Sequence, residues 1–126
     1  MNKEYLHGTR YYYSAECFLY FATRFIQNCN SPDLQNLWIP ILRVHLIELR
    51  VGSMKSADPL ATAMRIIISI ELGLLPSSAD IVRLLDSQGE DGGWYGGWFY
   101  KYGSSGILIE NVGLTSTLAL KALTSF

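Results

Sequence analysis

Charge is scarce in this chain. Charged side chains make up 17% of its 126 residues against 49% apolar ones, and the mean hydropathy is +0.16, so large apolar faces are expected. Ten Lys and Arg face eleven Asp and Glu, leaving a net charge of -1. The basic residues are scattered and form no stripe, which removes the main attractive term for nucleic acid; no nucleic-acid partner is expected. Cysteine is sparse too. Cys17 and Cys29 lie on one expected helix, roughly 18 Å apart at about 1.5 Å per residue, too far for a disulfide, and read as free thiols. Long apolar runs are missing: Ile66 to Leu75 contains Glu71 and falls short of the roughly 20 residues a bilayer requires, so no transmembrane segment is expected. Met1 to His7 carries no basic flank leading into an apolar run, hence no secretory signal, and a cytoplasmic location is the default.

What is present reads as helices within a single domain, residues 1–126. A first helix is expected from Ser14 to Cys29, capped by Ser14, with Phe18, Phe21, Ala22, Phe25, Ile26 and Cys29 as one buried stripe. Tyr11, Tyr12 and Tyr13 lead into it. Asn30 to Asp33 is a capping turn, and the second helix puts Leu34, Leu37, Trp38, Ile41, Leu42, His45 and Leu49 on one side before ending near Gly52. Pro40 should kink that helix or mark its start. Asp58-Pro59 announces a third helix to Leu74, apolar on nearly every side and so the innermost. A short fourth helix starts at Ser77, which with Asp80 approaches a capping box, and runs to about Ser87 with Ile81, Val82, Leu84 and Leu85 inside. A long glycine- and aromatic-rich loop, Gln88 to Gly113, precedes a last helix from Leu114. Helix starts near Ser14, Asp58 and Leu114, with partners near Asp33 and Ser77, set the rhythm of a helical-hairpin array.

The segment Gln88-Gly-Glu-Asp-Gly92-Gly-Trp94 has a physical reading of its own. The Gln88 amide can donate to a carbonyl of the preceding helix end while accepting a neighbouring N–H, and Gly92 and Gly93 permit positive φ or close approach. The chain can then fold Trp94 back over the helix end and bury its ring in a rigid corner.

With Leu84 four residues before Gln88, these residues resemble the second half of the QW motif of the terpenoid cyclases, the squalene-hopene and oxidosqualene cyclases and their relatives. The first half departs: the family expects a basic residue and a glycine near Ala79 and Asp80, and an aromatic beside the leucine where this chain has Arg83. Gly113 to Leu123 is similar to the start of an inner helix in the prenyltransferase and squalene oxidase repeats, and the resemblance covers roughly Asp58 to Phe126. It implies an all-α fold of antiparallel helical hairpins forming part of an α/α toroid, with about five helices that cannot close a ring. An open arc exposes its end faces, so a fragment, a C-terminal domain or a protomer that covers its ends by association is expected.

The same resemblance implies isoprenoid cyclisation, an isomerase or lyase type of chemistry. The Asp-x-Asp-Asp and Asp-Cys-Thr-Ala patterns that supply the initiating acid are absent, as is the Asp-Asp-x-x-Asp metal clamp; the aspartates are 33, 58, 80, 86 and 91. His7, Cys17, Cys29 and His45 show none of the ligand spacing of the related zinc enzymes, so neither metal nor cofactor is expected. Gly103-Ser-Ser-Gly106 lacks the lysine and flanking strand of a phosphate loop. Glu71, alone on an apolar helix, is either a desolvated proton donor or an acid paired to an arginine such as Arg65 or Arg83. Trp98, Tyr100 and Tyr102 either present ring faces to a carbocation in an isoprenoid cavity or pin the loop to its own helices. Two functions follow. The chain is a piece of a terpenoid-cyclase-like protein that supplies a cavity wall without the initiating acid, or it is a non-catalytic helical-repeat module that associates with a partner chain or itself.

Overall fold

The computed structural model describes residues 15–52, 58–95, 98–102, 107–110 and 112–125. These form five helices, α1 Ala15–Asn28, α2 Pro32–Gly52, α3 Pro59–Glu71, α4 Ser78–Asp86 and α5 Val112–Thr124. An antiparallel hairpin, β1 Trp98–Tyr102 and β2 Ile107–Glu110, joins α4 to α5 where the sequence suggested a loop. Trp98 pairs with Glu110 and Tyr100 with Ile109, so Phe99 is the extra residue of a bulge. The core is all-α. Ser14, His7, the Tyr11 to Tyr13 run and the Gly103 to Gly106 segment lie outside the described residues.

Local chemistry sets the helix ends. The Asp58 carboxylate accepts from the N–H groups of Leu60 and Ala61, and Pro59 occupies the first helical position of α3. Ser31 Oγ accepts from Leu34 N at the start of α2, and the Gln35 amide reaches back to the carbonyls of Ile26, Gln27 and Cys29 to close the end of α1. Helix α2 runs through Pro40 without ending there; the missing N–H forfeits one bond of the ladder, and a 21-residue helix tolerates it. Ser77 sits at the N-cap of α4 but makes no side-chain capping bond, and the Asp80 carboxylate is turned toward Arg65. The expected capping box is therefore not formed.

Helix α3 is the hub: α1 and α5 flank it, while α2 and α4 pack on its other sides. Hydrogen bonds fix the directions. Glu16 and Gln27 of α1 reach Arg65 and Glu71 of α3 in the same order along both helices, so the two run parallel. Arg43 and Arg50 of α2 reach Leu72 and Ser69 in reverse order, so α2 runs antiparallel. The result is two layers of hairpin-connected helices, with α3 buried from Pro59 through Ser69 as its composition suggested. Among the described residues no helix is long and apolar enough to cross a membrane.

The buried faces differ from the expected ones in three places. On α1 the buried side carries Glu16, Leu19, Tyr20, Thr23 and Ile26, whereas Phe21 is 52% and Phe25 70% exposed. On α2 Leu42 is buried as expected and Leu46 is buried with it, while Leu34 and Leu37 face outward. Of the four residues expected inside α4 only Leu84 is fully buried; Ile81 is half-buried and Val82 and Leu85 are exposed. A helix buries the side that meets a neighbour, and on α1 that side includes Glu16, which reaches Arg65 of α3.

Candidate functional site

Leu84, Gln88, Gly92 and Trp94 form a closed corner at the end of α4. Trp94 is 1% exposed, and its indole N–H donates to the Leu84 carbonyl at 2.8 Å. That bond satisfies both the buried indole and an orphan carbonyl at the helix end. Gln88 donates across the turn to the Gly92 carbonyl at 2.9 Å, and not to a helix carbonyl as the sequence suggested. Gly92 has φ of +89°, the left-handed region that the turn requires. Backbone pairing of Gln88 with Trp94 and a 2.7 Å bond from Gly89 N to the Gly93 carbonyl complete the loop, and Ser116 Oγ accepts from Trp94 N, tying the corner to α5. Outside the corner, the Tyr95 hydroxyl and the Gly93 N–H both donate to Asp91 and hold its carboxyl below the usual carboxylate range.

Arg65 was not singled out as a site by the sequence, yet it is the most heavily bonded side chain of the interior. It is wholly buried, forks onto Asp80 through Nε and Nη2 at 3.2 Å each, and donates to Glu16 at 2.8 Å and to Thr62 at 3.1 Å. Arg83 reaches Asp80 from the rim at 3.6 Å. Burial works against the guanidinium charge, but the bonds and charge of Asp80, followed by Glu16, outweigh it and raise the Arg65 pKa above its ordinary value. One cation thus holds α1, α3 and α4 together. A lone arginine on an otherwise apolar helix is the signal that marks it in the sequence, since such a charge must find partners.

Glu71 ends α3 and is paired to Arg24 of α1, at 3.0 Å, and not to Arg65 or Arg83. Lys121 of α5 approaches the same oxygen at 4.0 Å, while Gln27 bonds the Glu71 carbonyl. Glu71 therefore ties the parallel helices at one end as Arg65 does nearer the other. Arg43 and Arg50 bond the carbonyls of Leu72 and Leu75 just beyond, where helix carbonyls favour cations. His45 is half-buried, with Nδ1 3.4 Å from Glu48 on the same helix. Cys17 and Cys29 are not joined in a disulfide, and burial, reinforced by the Glu16 charge, pushes the Cys17 thiol up to about 11.

Trp98, Tyr100 and Tyr102 are brought onto one strand, β1, which touches α3. A separate apolar groove of about 380 Å³ lies between α1 and α2, lined by Phe18, Ala22, Phe25, Ile26, Leu34, Trp38 and Leu42. No charged or hydroxyl-bearing side chain lines it. The sequence assigned most of these residues to the interior; the structure buries Ile26 and Leu42 and leaves Phe25 and Leu34 exposed.

No family model and no solved structure matches the chain. Over 123 residues it is 42% identical to a drimenol cyclase of Aspergillus calidoustus, a match that covers 98% of this chain and 22% of that relative. The chain thus spans under a quarter of the length of the cyclase it resembles, along an alignment that includes the first helical hairpin as well as the corner that suggested a terpenoid-cyclase-like protein.

Proposed function

We propose that this chain is one part of a terpenoid-cyclase-like protein, an arc of an α/α toroid that contributes a wall to an isoprenoid-binding cavity and leaves the initiating acid to residues elsewhere. The observation that carries this is the 42% identity sustained over 98% of the chain within 22% of a drimenol cyclase. Helix α3 flanked by its parallel neighbour α1 and by α5, with α2 and α4 packed against it, is a layering that such an arc can use. In this reading Trp98, Tyr100 and Tyr102 line the wall and offer ring faces to cationic intermediates, for which tryptophan is the best side chain. Leu84, Gln88, Gly92 and Trp94 act as a QW-type lock that fixes the hairpin against its helices. Glu71 is assigned a tie between helices through the oxygen that Arg24 engages, while its other oxygen is buried without a hydrogen-bond partner among the described residues.

A chimera tests this: the matched 123 residues of the drimenol cyclase are replaced by this chain and the protein is given a linear isoprenoid diphosphate. Cyclic product is expected, and Glu71→Gln should retain turnover while Trp98→Ala reduces it or alters the product. A folded chimera that yields no cyclic product, with no ligand-dependent change in stability, would favour the non-catalytic repeat module, the reading to which the exposed apolar side of α1 and α2 also lends itself.

A further inference from the structure

Helix α2 carries apolar side chains on more than the side that packs inward. Leu42 and Leu46 are buried, Arg43 and Arg50 reach over to α3, and Leu34 and Trp38 line the groove shared with α1. At about 100° per residue, the side opposite Leu42 and Leu46 is made of Leu37, Pro40, Val44, Ile47 and Val51. All five are exposed, the four aliphatic ones by 49% to 77%. They follow one another at steps of three, four, three and four residues, the a/d repeat by which one helix lies along another, with Leu37, Val44 and Val51 at a and Pro40 and Ile47 at d. The seam is about 21 Å long at about 1.5 Å per residue. Its neighbours α1 and α3 both lie behind it, so the ridge stands clear of the chain's own packing.

We propose that α2 is a dimerisation helix that lies parallel to α2 of a second copy of this chain, about a two-fold axis running along the seam. Charge selects that occupant. Arg43 flanks the seam on one side, at the g position, and Glu48 on the other, at e, and both are exposed. In a parallel pair of identical helices the g residue of one faces the e residue five positions further along the other, so Arg43 meets Glu48 of the second copy and the symmetry makes the contact twice. An antiparallel pair sets g against g and e against e, which brings arginine to arginine, Arg50 being the next g residue, and glutamate to glutamate. Arg43 donates through Nε to the Leu72 carbonyl at 2.7 Å, a bond that steadies its guanidinium at the seam edge. Valine at two of the three a positions is the β-branched choice that favours two strands over more. A small molecule is a poor occupant, because ligand sites are concave and this is the convex ridge of one helix.

Sedimentation and thiol cross-linking of the chain test the pairing. A dimer is expected, and a monomer at every concentration up to about 100 μM would overturn the proposal. Val44→Asp, which puts a charge on an exposed side chain at the centre of the seam, should leave a folded monomer. Glu48→Arg should weaken the dimer by about tenfold, and adding Arg43→Glu should restore it to within about threefold, since the pair is then reversed and not lost. That recovery cannot come from the Leu72 bond, which Arg43→Glu removes; no recovery overturns the parallel register. In a Cys29→Ser background, with Cys17 buried, Val44→Cys and Val51→Cys are each treated with diamide. A parallel pair sets every a residue against its own copy, within disulfide reach, so both variants should form cross-linked dimers. Cross-linking at one position alone, or at neither in a chain that sediments as a dimer, means an antiparallel seam or another surface and overturns the proposal. The pairing is independent of the cavity-wall reading: an active chimera says nothing for it, and a monomeric chain says nothing against that function.

Discussion

The inner side of α1 buries polar side chains among its apolar ones, while the outer side exposes aromatic rings. Inward, Glu16 is 9% exposed and Thr23 fully buried; outward, Phe25 is 70% exposed. A buried carboxylate is costly unless it is bonded, and here the buried Arg65 supplies the bond and the countercharge. The difference teaches that the two sides of α1 carry different chemistries: an ionic contact that specifies how α1 sits on α3, and an apolar surface without charge. Ionic contacts of this kind set register more than they add stability.

Several measurements can break or sharpen that contrast. The largest loss is expected on the inner side: Arg65→Ala leaves Glu16 and Asp80 buried without their cation and should lower unfolding free energy by about 3 to 5 kcal/mol in denaturant titrations. Replacing Glu16, Arg65 and Asp80 together by apolar residues should recover most of that loss, because the penalty lies in the unpaired charge. Trp94→Ala is expected to cost about 3 to 5 kcal/mol as well, the loss of a fully buried aromatic and its indole bond; a loss under about 1 kcal/mol would mean the ring packs little. Burial of Cys17 predicts a pH effect next in size. Its thiol ionises near 9.0 when unperturbed and at about 11 in the fold, so its contribution is whole below pH 9 and is lost as pH rises through 11. Over that window the native chain should lose about 2 to 3 kcal/mol more than Cys17→Ala does. Gln88→Ala, which removes one exposed bond across the corner, should cost about 1 kcal/mol. At the bottom of the scale, Phe25→Ala should leave the stability of the isolated chain within about 0.5 kcal/mol of wild type, and a loss of several kcal/mol would show the outer side to be interior already.

Much of the fold was legible in the residues. Asp58-Pro59 marked the start of α3, the greasy run after it marked the central helix, and Gln88 to Trp94 marked a corner with a buried tryptophan and a left-handed glycine. The hairpin was missed although its signal is present: Trp98 to Tyr102 and Ile107 to Ile109 are aromatic and β-branched segments on either side of a Gly-Ser-Ser-Gly sequence, the pattern of two short strands. The stripe on α1 was correctly spaced for a single face and wrongly turned. Periodicity finds the apolar face of a helix, but it carries no knowledge of which side the neighbouring helices occupy.

By itself the sequence determined the helical class, the position of the hub helix and the chemistry of the Trp94 corner, because these depend on propensity, caps and turn geometry within a few residues of one another. Only the tertiary structure decided that Arg65 joins Glu16 and Asp80, that Glu71 meets Arg24, and that Phe25 faces outward. Those outcomes depend on partners that lie 15 to 49 residues apart along the chain, brought together by the docking of whole helices.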